Sequence, residues 1–256
     1  MSCIVAIETS TEHCSVALKY NDELQTLRAV GVRQHAEFVL PMLSRLLSEA
    51  GLPRSAIDVI GYGRGPGAFT GVRLAVAIAQ GLGFALDRPT FGVSSLQACA
   101  SMALLQAPNS SADGSSRASY TDEIVAILDA RMGEFYVAAF TSAKRAAPKL
   151  SGQECLLTQD LLHAWLAERS TAITTFAGNG LSVLKPEVFA GFPHTQFLPD
   201  VRPDAEEIAK LTALGFAAKQ AVPARFAQPA YVRDKVADTL LERAAKRAGA
   251  SVSAAI

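Results

Sequence analysis

Two short stretches put an acidic side chain directly after an apolar run: Glu8-Thr9-Ser10 follows Ile4 to Ile7, and Asp129-Ala130-Arg131 follows Ile124 to Leu128. A carboxylate at the end of an apolar run can face a metal ion or settle into hydrogen bonds with its own neighbours. Two glycine turns accompany them. Gly61 to Arg73 carries five glycines and Pro66 between a strand-like run and a long apolar helix, and Gly178-Asn179-Gly180 follows Thr174 to Ala177. Glycine-rich strand-to-helix turns let a backbone approach another surface closely and gather N–H groups at a positive helix end. The block that includes Gly65, Gly67 and Gly71 therefore reads as a contact for an anion or for another backbone. Glu8 has two readings: a metal-facing carboxylate, or an acceptor for the Gly65–Gly67 turn or for Ser10. Asp129 and Arg131 also have two readings: side chains that act together in a cleft between domains, or an ordinary salt bridge.

Other chemistry finds little support in the residues. His13, His35, His163 and His194 show no metal spacing, and Cys3, Cys14, Cys99 and Cys155 are scattered without a CxxC pair, so buried free thiols in a reducing cytosol are expected. There is no G-x-x-x-x-G-K-[ST] run and no GxSxG elbow. Lys plus Arg and Asp plus Glu both number 24, which excludes a global basic field for nucleic acid. The start, with Glu8 so early, does not read as a signal peptide, and Val72 to Leu86 is too short to span a bilayer; the expected location is the cytoplasm, with no membrane partner.

The elements that must position these groups repeat. Ile4–Glu8, Cys14–Tyr20 and Leu24–Val30 read as strands, Gln34–Ala50 as a helix with Pro41 giving a kink or a late start, and Ile57–Tyr62 as a fourth strand. Thr70–Leu86 is a second helix, Pro89–Val93 a strand and Ser94–Gln106 a helix. The order then restarts: strands at Ile124–Leu128, Glu134–Thr141 and Glu154–Leu157, a helix at Gln159–Arg169 capped by Thr158, and a strand at Thr174–Ala177 running into its own glycine turn. A last helix covers Pro203–Val222, an extended piece Gln228–Asp234, and a charged tail Thr239–Gly249. The expected fold is α/β, two lobes built on a duplicated β-β-β-α-β-α unit. Residues 1–106 form the first lobe, completed by helix 203–222; 107–119 form a flexible linker or insertion, 120–202 the second lobe, and 223–256 a C-terminal extension.

This duplicated order resembles the RNase H-like fold of actin, hexokinase and the heat-shock chaperone ATPases. Ile7 to Thr11, Gly61 to Arg73, Gly92 to Leu96, Asp129 to Glu134, Gly178-Asn179-Gly180 and Pro229 to Arg233 together resemble the bacterial TsaB (YeaZ) family of tRNA threonylcarbamoyladenosine biosynthesis proteins, over roughly residues 1 to 235. Two departures are visible: Glu8 stands where aspartate is expected, and 107–119 looks inserted. The resemblance implies a non-catalytic pseudoenzyme subunit that pairs with the catalytic paralogue TsaD as a heterodimer, works with the ATPase TsaE and meets tRNA only through the complex. It implies no cofactor and no metal of its own, with any ATP or ADP held at complex interfaces. Aligned on Gly92-Val93, the paralogue's His-x-x-x-His pair falls on Ser95 and Cys99, which cannot close a metal site. Two other classes stay open: an independent ATP-dependent phosphotransferase or ATPase using Glu8 or Asp129, and a metallopeptidase.

The long helix supplies a docking surface. Gly71, Ala75, Ala79 and Gly83 fall four residues apart, a stripe of small residues that lets another helix approach closely. Leu74, Ile78 and Leu82 flank it, and the first helix adds His35, Phe38, Val39, Met42 and Leu46. These residues are expected to bind the partner, and to favour a homodimer when the partner is missing. Glu8, Thr9, Ser10, Gly65, Gly67, Asp129, Arg131, Gly178, Asn179 and Gly180 are expected to line a nucleotide or interlobe cleft.

Overall fold

The computed structural model describes residues 2–31, 35–106, 121–143, 146–169 and 173–232. The expectations for 107–119 and for the C-terminal tail lie outside these residues. The first half forms β1 (Cys3–Glu8), β2 (His13–Tyr20), β3 (Glu23–Val30), α1 (His35–Glu49), β4 (Val59–Gly63), α2 (Phe69–Leu86), β5 (Thr90–Val93) and α3 (Ser95–Gln106). The second forms β6 (Thr121–Asp129), β7 (Glu134–Ala143), β8 (Lys149–Thr158), α4 (Gln159–Ala167), β9 (Ile173–Ala177), β10 (Gln196–Leu198) and α5 (Ala205–Ala217).

Each half makes one five-stranded sheet, ordered β3-β2-β1-β4-β5 and β10-β9-β6-β7-β8. In both, the first three strands pair antiparallel, and the fourth and fifth join parallel. The duplication read from the element order is therefore a duplication of topology. The central strand β1 (CIVAIE) is buried along its whole length, because apolar and β-branched residues cover both of its faces.

The helices distribute unequally. α1 and α2 cover one face of the first sheet, with Val39, Leu43, Leu46 and Leu47 meeting Ala75, Val76 and Ala79 over Val5, Ile7 and Ile60. The other face takes α5, whose Ile208 and Ala209 pack on Ala6 and Ala17. In turn α3, from the first half, lies against β6 and β7 of the second sheet through Leu96, Ala100 and Leu104. Each half thus covers a sheet of the other. Where α2 stands in the first half, the second has only short 3-10 turns at Asn179–Ser182 and Pro186–Phe189.

Helix boundaries follow local chemistry. The Thr158 hydroxyl accepts from Leu161 N at 3.4 Å, and Asp204 accepts from Glu206 N at 2.9 Å. Gly51, at φ +65°, closes α1 with Leu52 N bonded to Leu47 O. Two expectations need correction. Of the kink or late start expected at Pro41, the late start is excluded, because α1 already runs from His35; Pro41 is exposed, so water can solvate the carbonyl its ring leaves unpaired. The last helix is shorter than Pro203–Val222, ending near Ala217 because Lys219 turns left-handed at φ +58° and Val222 pairs with Thr90 as an isolated bridge.

Candidate functional site: an interlobe cleft and an open helix flank

The glycine block packs against the chain's own backbone. Ala68 N donates to Ser10 O at 2.7 Å, and the Thr9 hydroxyl donates to Gly71 O at 2.7 Å. A Cβ on Gly67 would lie 2.6 Å from Ser10 O, and one on Gly71 1.9 Å from Thr9 O. Gly65 takes φ +90°, a region that favours glycine. Of the two readings of this turn, close approach of a backbone is the one the geometry realises.

Glu8 is buried beneath that turn, not in the cleft. It is 1 % exposed; its Oε1 accepts from Ser10 N at 2.5 Å and its Oε2 from the Ser95 hydroxyl at 3.2 Å. Gly63 makes the room, since a Cβ there would lie 2.0 Å from Oε2. Burial raises the carboxyl above its ordinary value, and the bonds from Ser10 and Ser95 oppose that shift only in part. Thr9 is likewise buried and spent on α2.

Between the lobes lies a cleft of about 370 Å³, lined among others by Ser10, Gly67, Asp129, Arg131, Asn179 and Tyr136. Asp129 Oδ1 accepts from Arg131 N at 2.8 Å, and Oδ2 pairs with the Arg131 guanidinium at 3.1 Å. Asn179 Oδ1 accepts from Asp129 N at 3.0 Å, tying the second glycine turn to the end of β6. Five of the ten expected cleft residues therefore meet there. Glu8, Thr9, Gly65, Gly178 and Gly180 do not line it. Gly178 and Gly180 instead admit the Ile127 backbone, which a Cβ on Gly178 would approach to 2.1 Å. Sequence reasoning missed Phe69, Ala230, Tyr231 and Val232, which close one side of the cleft. The extended piece after Pro229 was the available signal, but nothing local says where it crosses. Its Ala230 N bonds Arg64 O at 2.8 Å and places it over the turn.

The stripe of small residues expected to dock a partner does not face outward in the structure. Gly71, Ala75, Ala79 and Gly83 are buried against the chain itself, Gly83 so closely that a Cβ would lie 2.6 Å from Ala224 Cβ. Val39, Leu46 and His35 are buried too, His35 Nε2 lying 3.3 Å from Glu12 O. The outward row is Arg73, Ala77, Gly81 and Ala85, also four apart and about 200° round the helix. Leu74, Ile78, Leu82, Phe38 and Met42 are half-buried, and the last four of these pack on the edge of the first core.

Known proteins resemble this chain in sequence and in fold. The family model described as TsaD, tRNA N6-adenosine threonylcarbamoyltransferase, matches residues 28–241. The Escherichia coli K12 tRNA threonylcarbamoyladenosine biosynthesis protein TsaB is 32% identical over 237 residues, 91% of this chain and 96% of that one. The chain belongs to the TsaB (YeaZ) family. The Haemophilus influenzae TsaB is 42% identical over 135 residues, covering 52% of this chain and 51% of the relative. The solved structure of YeaZ from Pseudomonas aeruginosa is 34% identical with a TM-score of 0.75, covering 90% of this chain and 100% of that one.

In this TsaB-family chain, Ser95 begins α3 bonded to the buried Glu8, and Cys99 follows one turn later in the second core with Leu96 and Ala100. Ser95 is committed to Glu8, and Cys99 is fully enclosed, its thiol pushed up to about 12 by burial. Among the described residues no group of three or more His, Cys, Asp or Glu gathers for a metal.

Glu8→Gln tests the buried carboxyl. A raised native pKa means the folded state holds its proton more tightly than the unfolded one. The contribution to stability is full below the unfolded value of about 4.5 and declines as pH rises through the native value. Glutamine, an isostere able to keep both bonds, removes that decline. Urea unfolding from pH 5 to pH 8 should show the variant gaining on the parent as pH rises, by at most about 1.4 kcal/mol per pH unit. A constant difference would mean Glu8 titrates alike in both states.

Proposed function

We propose that this chain is a non-catalytic subunit in tRNA threonylcarbamoyladenosine biosynthesis. It docks on the catalytic paralogue TsaD, works beside the ATPase TsaE in the cytoplasm, and reaches tRNA through that complex. Family membership supports the pathway. The observation that carries the non-catalytic role is the closed Glu8–Ser95 pair with Cys99 behind it, at the positions where the resemblance puts the paralogue's histidines. Glu8 and Ser95 are bonded to each other in the interior and Cys99 is enclosed in an apolar core, so none of the three reaches a reacting atom. The open flank of α2 supports docking: an apolar helix covered on one side only calls for a second surface.

The test is reconstitution of tRNA modification from purified components, each omitted in turn. The expected result is no product from this chain alone, full activity with all components, and a loss of at least about tenfold when this chain is left out. Product from the isolated chain would overturn the reading. The Asp129 cleft gives a second reading, an independent ATPase, which requires Mg²⁺-dependent ATP turnover by the isolated chain that Asp129→Asn abolishes; the Asp129–Arg131 pair weighs against it.

A further inference from the structure

We propose that the Arg73 guanidinium, held between Phe69 and Tyr231, is the receptor for a carboxylate side chain on the partner's docking helix. This rests on the reading of the chain as a docking subunit and assigns the chemistry of one contact within it. Arg73 is the one charged residue of α2 and heads the outward row that continues through Ala77 and Gly81. Its guanidinium carbon lies 3.4 Å from the Phe69 ring centroid and 5.3 Å from that of Tyr231, and Nε donates to the Tyr231 hydroxyl at 3.0 Å. Phe69 and Tyr231 are themselves 46 % and 55 % exposed, so two side chains one turn apart on α2 and one from far along the chain form one outward cluster.

The cluster is ordered but not neutralised. Arg28, Arg64, Arg131 and Arg202 each meet a carboxylate, at 2.7, 3.2, 3.1 and 3.1 Å. Among the described residues Arg73 meets none, and only its Nε is used, leaving the terminal nitrogens of the fork for an incoming acid. The start of α2 adds positive potential at the same corner, because Ala68 gives no side-chain cap and the first turn holds no acid. A guanidinium already fixed by stacking has little rotamer freedom left to lose on binding, and Arg and Tyr dominate interface energetics. An acidic side chain beside an apolar helix stripe is the partner chemistry that complements Arg73 beside Ala77 and Gly81.

The test measures calorimetric affinity of the full chain for TsaD, with melting temperature as the control, in Arg73→Glu, Arg73→Met and Gly81→Arg. The expected result is about 100-fold weaker binding for Arg73→Glu with the melting temperature held. Binding by the parent should weaken with added salt, and Arg73→Met, which keeps apolar bulk on Phe69, should lose most of that salt dependence. Should Arg73→Glu lower the melting temperature, the salt series of Arg73→Met decides instead. Unchanged affinity in Arg73→Glu with binding lost in Gly81→Arg would sink the receptor and leave the docking face standing. Unchanged affinity in both would sink the two together. If Arg73→Glu disrupts only self-association of the isolated chain, the cluster serves a second copy and the proposal falls.

Discussion

Gly81→Arg is expected to abolish association with TsaD while the melting temperature stays level or rises. A Cβ at Gly81 meets nothing within 4 Å, and the residue is exposed in the middle of α2. Arginine there fits the monomer without strain. It also removes the penalty of a glycine in a helix interior, about 0.5–1 kcal/mol. In a complex the same side chain stands on the outward row where a second helix must come close, so binding should fall at least about 100-fold. Ala79→Arg, two residues earlier, makes the opposite case. Ala79 is 0 % exposed and faces the first sheet, so a guanidinium there loses its water with no acid to meet it. That variant, aimed at the row of small residues expected to dock a partner, is expected to unfold the chain. Thermal melts beside calorimetric binding separate the two faces of one helix; intact binding by Gly81→Arg would move the docking surface elsewhere.

The reason for that reversal is visible in α2 itself. Its sequence carries two rows of small residues at the same spacing, Gly71-Ala75-Ala79-Gly83 and Ala77-Gly81-Ala85, on nearly opposite sides. Helical periodicity reports that such rows exist, but with a helix apolar nearly all round it cannot say which row meets the sheet. Long-range contacts decide, and they come from Thr9 and Ala224, far away in the sequence. Glu8 shows the same limit. Its place at the end of β1 was legible, but its burial depends on Gly63 and on Ser95 arriving from α3. The strand and helix order, by contrast, rests on local signals: turn residues, β-branched runs, and the caps at Thr158 and Gly51. The cleft was half legible for the same reason. Asp129, Arg131 and Asn179 follow local turns, whereas Phe69 and Tyr231 are brought to it by a crossing that no periodicity records.

Gly71→Ala is expected to cost more than about 3 kcal/mol, a large part of the roughly 5–15 kcal/mol that holds a domain folded. Helix propensity alone predicts the reverse, since alanine in a helix interior gains about 1 kcal/mol over glycine. The sign of the measured change therefore decides which effect governs this position. The added Cβ would lie 1.9 Å from Thr9 O and 3.0 Å from its carbonyl carbon, well inside contact distance. Neither side can yield cheaply. Thr9 is buried at the end of β1 with its hydroxyl bonded to Gly71 O, and Ser10 O holds Ala68 N. At the far end of α2, Gly83 is pressed against Ala224 and Arg88 O, so the helix cannot tilt away as a unit. Gly81→Ala is the internal control: the same substitution in the same helix, in open space, should stabilise by about 0.5–1 kcal/mol. Denaturant unfolding of the two variants should therefore shift in opposite directions. A shift of both toward stability would show that the turn after β1 yields, and that the glycines of this block do more than seat a helix on its own backbone.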